Sequence, residues 1–255
     1  MKKAALFIPC LVNHMLPHIG SSTRRLLERL GVTTTYSREQ TCCGQMVYNK
    51  GHHDEARGFA RHFIEVFEGA ESIVAPSGSC VCMVKSYPEL FEGDRKWRKR
   101  AEDVASKVFE LTQYIVDELG VTEVGARFDG KVAYHECCHV NRGLGVSLQP
   151  KSLITATQGC ELVHMNGADQ CCGFGGEFAM DFSDISGALV ETKVKNYMDS
   201  GADLLVLNEP GCLLNISGYL SRNHHEKKAV HIADFLMGEI PEIKGQSEEE
   251  VSHAE

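Results

Sequence analysis

Short apolar or β-branched runs alternate along the chain with stretches of helical periodicity. Residues 4–8 (AALFI), 32–36 (VTTTY) and 72–75 (SIVA) read as strands bounded by polar residues, Gly or Pro, the pattern of strands covered on both faces. Between the second and third, Ala56, Phe59, Ala60, Phe63, Ile64 and Phe67 recur at i, i+3, i+4, i+7, i+8 and i+11. That spacing predicts one face of an amphipathic helix and assigns its aromatic residues to the core. Strand alternating with helix predicts an α/β fold with a parallel sheet, whose ligands gather at the carboxyl ends of the strands.

The chain also repeats itself. Cys10-Leu11-Val12-Asn13 returns 128 residues later as Cys138-His139-Val140-Asn141, each time after an apolar run, residues 4–8 and then 131–134. Thr41-Cys42-Cys43-Gly44 returns as Gln170-Cys171-Cys172-Gly173, and residues 72–80 (SIVAPSGSC) as 204–212 (LLVLNEPGC). A cysteine-free stretch, residues 107–119, lines up with 228–240 at a shorter offset, because the first half carries an extra charged segment at 92–100. Self-similarity of this kind marks repeated structural units. The expectation is two homologous halves, each a small parallel sheet flanked by helices and related by a pseudo-two-fold. They would span residues 1–122 and 123–244, with 245–255 as an acidic flexible tail.

Composition narrows the function. Of 255 residues, 43% are hydrophobic and 24% charged, and no stretch reaches the roughly 20 apolar residues that span a bilayer. These values exclude a membrane-embedded or disordered chain. A formal charge of −9 and the lack of a Lys/Arg run argue against nucleic acid as a partner. Eleven cysteines, an odd number, do not complete a disulfide framework. Met1-Lys2-Lys3 and the apolar residues after it have the outline of a signal peptide, but Pro9 and Asn13 break the run. Ile8-Pro9 also offers no small residue before Cys10 for lipoprotein-type cleavage. A cytoplasmic protein is expected, where cysteines stay reduced and serve as ligands or redox groups more often than as staples.

Cys10 and Cys138 directly follow strands; the Cys42/Cys43 and Cys171/Cys172 pairs follow through short loops; Cys80 and Cys212 follow turns rich in Gly, Ser and Pro. All four thiols of a half should therefore converge on one sheet edge. The two sets read C-x31-C-C-G-x35-C and C-x32-C-C-G-x38-C. Soft thiolates select zinc, Cu(I) or iron–sulfur clusters. Zinc usually draws on C-x2-4-C knuckles, a vicinal disulfide leaves Cys10 and Cys80 unexplained, and a cluster offers adjacent sulfurs separate irons. Gly44 and the run Gly173-Phe174-Gly175-Gly176 would let main chain pass close to a bulky inorganic group and donate N–H to its sulfurs. Neither a dinucleotide fingerprint nor a Walker phosphate loop is present.

The doubled Cys-Cys-Gly pattern, with Ser77-Gly78-Ser79-Cys80 and Tyr134-His135-Glu136-Cys137-Cys138-His139, resembles the two-motif cysteine-rich (CCG) family over about residues 4–240. Within it the resemblance is to the lactate-utilisation branch, whose relatives include the CCG-bearing subunit of heterodisulfide reductase and the glycolate oxidase iron–sulfur subunit. It implies an iron–sulfur cluster of 4Fe-4S type held by Cys10, Cys42, Cys43, Cys80, Cys138, Cys171, Cys172 and Cys212. It also implies a cytoplasmic complex that oxidises L-lactate to pyruvate, with a ferredoxin-type iron–sulfur subunit and a third subunit as partners. The absence of a C-x2-C-x2-C-x3-C ferredoxin run in this chain fits the need for such a partner.

Heterodisulfide reductase ends its motif C-x2-C and holds a noncubane cluster through five cysteines. Here Met83 and Asn215 stand where that fifth ligand would be, and Cys82, one residue short, is the candidate substitute. A four-ligand cluster, or zinc in one half, stays open. Cys137 falls where relatives carry Pro and is a spare ligand or a small buried hydrophobe, while Cys160 reads as a core thiol at a strand start. His135 and His139 could ligate iron, donate to a cluster sulfur, relay a proton, or simply bond at a strand end. Arg142 could meet a carboxylate or neutralise an anionic cluster. His52, His53, His224 and His225 read as solvated, as do Glu177 and Asp181. Two rival functions remain beside electron transfer: thiol/disulfide chemistry of the heterodisulfide-reductase kind, and a zinc-binding structural or assembly subunit.

Overall fold

A computed structural model describes residues 2–239. It contains two four-stranded sheets, every pairing in them parallel. The first comprises β1 (Lys3–Leu6), β2 (Thr33–Tyr36), β3 (Ile73–Ala75) and β4 (Val108–Glu110); the second comprises β5 (Arg127–Tyr134), β6 (Gln158–Leu162), β7 (Leu204–Leu207) and β8 (Lys228–His231). Their orders correspond, β2-β1-β3-β4 and β6-β5-β7-β8. The runs at 4–8, 32–36, 72–75 and 131–134 thus form strands as expected, with ends moved by a residue or two. β3 and β7 are interior strands and fully buried, which is why their sequences are continuously apolar.

The two copies of the cysteine-free stretch take the same form. Val108–Glu110 leads into the helical turns Leu111–Gln113 and Tyr114–Glu118, and Lys228–His231 leads into the helix Ile232–Met237. Glu110 and His231 occupy equivalent N-cap positions, and each side chain accepts backbone N–H groups of the turn that follows. Residue 240 and the acidic tail at 245–255 lie outside the described residues. The charged segment at 92–100 belongs mostly to a helix, Arg95–Ala105, that Asp94 caps through Trp97 N.

The predicted helix face is present in both halves. His53–Phe67 buries Ala56, Ala60, Phe63, Ile64 and Phe67, and Ser183–Asp199 buries Ser186, Val190, Lys193, Val194 and Tyr197. Each member of the second set stands 130 residues after its counterpart. Phe59 is only half-buried, because it turns to the backbone of Gly44.

One apolar cluster crosses between the halves, with Leu6, Val12 and Leu26 beside Val132, Leu213 and Phe235; a second surrounds Phe7, Phe63, Phe67 and Tyr87 within the first half. The symmetry has a visible pivot. Ser77 and Glu209 hold the same place in the repeat, and the Ser77 hydroxyl lies 3.3 Å from both carboxylate oxygens of Glu209. Equivalent residues touch only where a pseudo-two-fold axis passes between them. Among the described residues no helix is long and apolar enough to cross a membrane.

Candidate metal centre between the halves

In a sheet of order 2-1-3-4 the crevice opens between the carboxyl ends of the two interior strands. Chain elements leaving those ends deliver the thiols there. In the first half Cys10 opens the helix Cys10–Met15 after β1, and Cys80 lies in Gly78–Lys85 after β3. Cys42 and Cys43 come from the loop after β2. The Sγ atoms of Cys10 and Cys42 are 3.8 Å apart, and Cys43 and Cys80 are buried beside them against one cavity. Gly44 N–H points at Cys42 Sγ at 3.4 Å. Gly44 has φ +82°, and a Cβ there would stand 2.9 Å from Phe59 Cβ, so no other residue fits this turn.

The second half reproduces the arrangement. Gly173, at φ +86°, points its N–H at Cys171 Sγ at 3.3 Å. Cys138 pairs with Cys171, and Cys172 and Cys212 Sγ are 2.8 Å apart. All eleven cysteines are free thiols. Crowding governs their protonation. Hydrogen bonds from Cys10 and Cys138 hold Cys42 and Cys171 down to about 2. The same bonds, reinforced by burial, push Cys10 and Cys138 up. Each pair therefore shares a proton between two sulfurs, the place a thiophilic cation takes on binding.

A cavity of about 330 Å³ joins the two sets, lined by Cys10, Cys43 and Cys80 on one side and Cys138, Cys171, Cys172 and Cys212 on the other. Ser77, Ser79 and Glu209 form its floor at the pivot, and Met46 and Met180 line its rim while remaining exposed. Soft donors, shared protons, backbone N–H groups aimed at sulfur and open volume all suit an inorganic metal–sulfur group.

The remaining candidates are placed as follows. Cys82 sits two residues after Cys80 on the same helix and therefore on another side of it, its Sγ against Gly143 of the opposite half. Met83 is buried in the first core, and Asn215 Nδ2 donates to Cys172 O at 2.8 Å. Tyr87 OH makes the corresponding bond to Cys43 O at 2.8 Å. Cys137 is buried, and its thiol donates to the His135 carbonyl at 3.7 Å. Cys160 is half-buried in the middle of β6 and pushed up to about 11 by burial. His139 Nε2 meets Gln45 Nε2 across the halves at 3.2 Å, and burial lowers its pKa. Arg142 is exposed and donates to Asp169 O at 2.6 Å. Glu177 pairs with Lys50 at 3.1 Å; Asp181 and the two His-His pairs are exposed.

Two residues at the site escaped the reading of the sequence. Glu209 is buried on the cavity floor, accepts from Ser79 N at 2.8 Å and Ser79 Oγ at 3.0 Å, and is raised to about 7, chiefly by burial. Lys193 is 1% exposed, and its Nζ donates to the carbonyls of Gly167 and Ala168. Its signal was available: a lysine on the apolar face of a helix.

Comparison with known proteins agrees with this geometry. Residues 4–85 and 132–217 each match the family model described as a cysteine-rich domain, CCG. A lactate utilization protein A from an Exiguobacterium species is 47% identical over 238 residues, covering 92% of this chain and 97% of the relative. The protein of that name from Macrococcus caseolyticus is 44% identical over 241 residues, covering 94% and 98%. A hypothetical protein from Helicobacter pylori superimposes with a TM-score of 0.66 at 15% identity, over 95% of this chain and 50% of that one, a likeness of fold.

Proposed function

The chain belongs to the CCG cysteine-rich family as a lactate utilization protein A-like member, and from this we propose that it is the iron–sulfur electron-transfer subunit of a cytoplasmic complex oxidising L-lactate to pyruvate. The observation that carries the reading is that Cys10, Cys43 and Cys80 of one set and Cys138, Cys171, Cys172 and Cys212 of the other line one cavity at the pivot, with Cys42 Sγ 3.8 Å from Cys10 Sγ. Cys10, Cys42, Cys43 and Cys80 would hold one group and Cys138, Cys171, Cys172 and Cys212 the other. When bound, such a group supplies one-electron transfer.

The protein's own contribution is to set that group's surroundings. Gly44 and Gly173 direct N–H dipoles at sulfur, which favours the more negative, reduced state. Burial of Cys43, Cys80, Cys172 and Cys212 keeps water from half of the sulfur ligands. The exposed Met46 and Met180 at the rim give an adaptable apolar surface to a ferredoxin-type partner subunit, with a third subunit completing the complex.

Anaerobic purification followed by iron and sulfide analysis tests the reading, and electron paramagnetic resonance of the dithionite-reduced protein refines it. Cys42→Ser and Cys171→Ser should each abolish a different signal. A chain that holds neither iron nor sulfide after reconstitution rejects it. The open cavity between two thiol sets favours thiol/disulfide chemistry as the second reading; turnover of disulfides without lactate oxidation would select it. Zinc retention with no absorbance change on dithionite would select a structural subunit instead.

A further inference from the structure

The second thiol set contains more donors than the repeat requires. Where the first half has Phe7 and Pro9, the second has His135 and Cys137. His135 is fully buried at the end of β5. Its Nδ1 lies 3.1 Å from the Ala168 carbonyl, an acceptor, so Nδ1 carries the proton and Nε2 keeps its lone pair. That Nε2 is buried and has no hydrogen-bond partner. An imidazole nitrogen of His135 and the sulfurs of Cys172 and Cys212 lie within 4.8 Å of one another, and the buried Cys137 thiol donates to the His135 carbonyl at 3.7 Å.

A buried imidazole with an idle lone pair costs stability unless something occupies it. The atoms nearest that nitrogen are sulfurs, and a borderline-soft metal ion accepts nitrogen and sulfur together. The Ala168 carbonyl on Nδ1 is the outer contact that metal-bound histidines characteristically make. Lys193 Nζ, bonded to the same carbonyl at 3.1 Å, fixes that oxygen in place. We infer that the second half binds its metal through a mixed nitrogen–sulfur set, with His135 Nε2 as a ligand beside Cys172 and Cys212. The first half, with Phe7 at the equivalent place, binds through sulfur alone.

The inference rests on the reading that the second thiol set holds metal, and the experiment separates the two. The full chain, freed of metal anaerobically, is titrated with Zn2+ while the ring nitrogens of its histidines are followed by 15N NMR, and with Co2+ while its absorption is recorded. A large shift of the His135 Nε2 resonance on Zn2+ uptake is expected in the wild type. His135→Phe, the residue the first half carries, should weaken Co2+ binding at least about tenfold and displace its ligand-field bands. After iron and sulfide reconstitution, pulsed electron paramagnetic resonance should detect 14N coupling in the signal that Cys171→Ser abolishes. Iron and sulfide content distinguishes a cluster iron from a single zinc-type ion as the occupant. Metal uptake by the thiols with an unmoved Nε2 resonance overturns the inference alone, in the wild type and without reliance on a variant folding. A chain whose second half takes up no metal overturns both.

Discussion

The first and second thiol sets share a backbone and differ in the wall behind them. In the first half Phe7 meets Phe63 edge-on at 4.8 Å, and Phe63 meets Tyr87 at 5.6 Å, an arrangement aromatic rings favour. In the second half the places of Phe7 and Phe63 are taken by His135 and Lys193, both donating to the Ala168 carbonyl. Both polar side chains meet at one carbonyl of the loop at 167–168, which has no counterpart behind the first set's aromatic wall. Burial lowers the Lys193 pKa, and the nearby sulfurs of Cys172, Cys212 and Cys137 oppose that shift. Duplication kept the thiols and changed the polarity around them. With a cluster in each half, as proposed, the second should be the easier to reduce.

The largest effect should come from forcing one wall into the other. Phe63→Lys buries an amine among aromatic rings with no carbonyl to accept from it, and should cost about 4 kcal/mol in denaturant unfolding. A loss below about 1 kcal/mol would mean the first wall is not closed. Next come opposite pH slopes at Glu110 and His231, which cap equivalent strands. Burial pushes Glu110 up to about 7, so its contribution is complete below the unfolded value near 4.5 and is lost as pH rises to 7, roughly 3 kcal/mol in all. Burial pushes His231 down to about 3, so its contribution is present above 6.5 and is lost as pH falls through 3. Unfolding of Glu110→Gln and His231→Gln across pH 4 to 8 should flatten the two limbs separately; parallel curves would refute the assignment.

Lys193→Met should cost about 2 kcal/mol by removing the donor to the carbonyls of Gly167 and Ala168. It should also lower the reduction potential of the second centre while leaving the first unchanged, as potentiometric titration would read; equal shifts in both would deny the local origin. Smallest is the matched pair Tyr87→Phe and Asn215→Ala. Each removes one bond to the carbonyl of the second cysteine of a pair and should cost about 1 kcal/mol, with the signal of its own half disturbed and the other spared.

Much of this architecture could be read from the sequence. Contiguous apolar runs gave the strands, the 3.6-residue period gave the helix face, and the recurrence of Cys10 with Cys42, Cys43 and Cys80 identified thiols that the fold does bring together. Periodicity reports which face is buried, and says nothing of what lies across from it. Hence Lys193 stands out on an apolar face while its role stays hidden, since its acceptors come from the loop at 167–168. Ser77 and Glu209 look unrelated in the alignment of the halves until the pivot places them in contact. Cys82 was chosen by its closeness to the motif, yet two residues along a helix turn a side chain to another side, here to Gly143.

The contact of Ser77 with Glu209 also bears on how the chain came to be one polypeptide. In a symmetric dimer of single repeats, a residue on the axis faces its own copy, so two glutamates would press like charges together out of water and two serines would leave the Ser79 amide of each partner without its carboxylate. Covalent fusion lifts the requirement of self-complementarity, and a donor can then stand opposite an acceptor. At this pivot hydroxyl and amide donors stand opposite a carboxylate acceptor, an arrangement that two identical copies could not make across an axis.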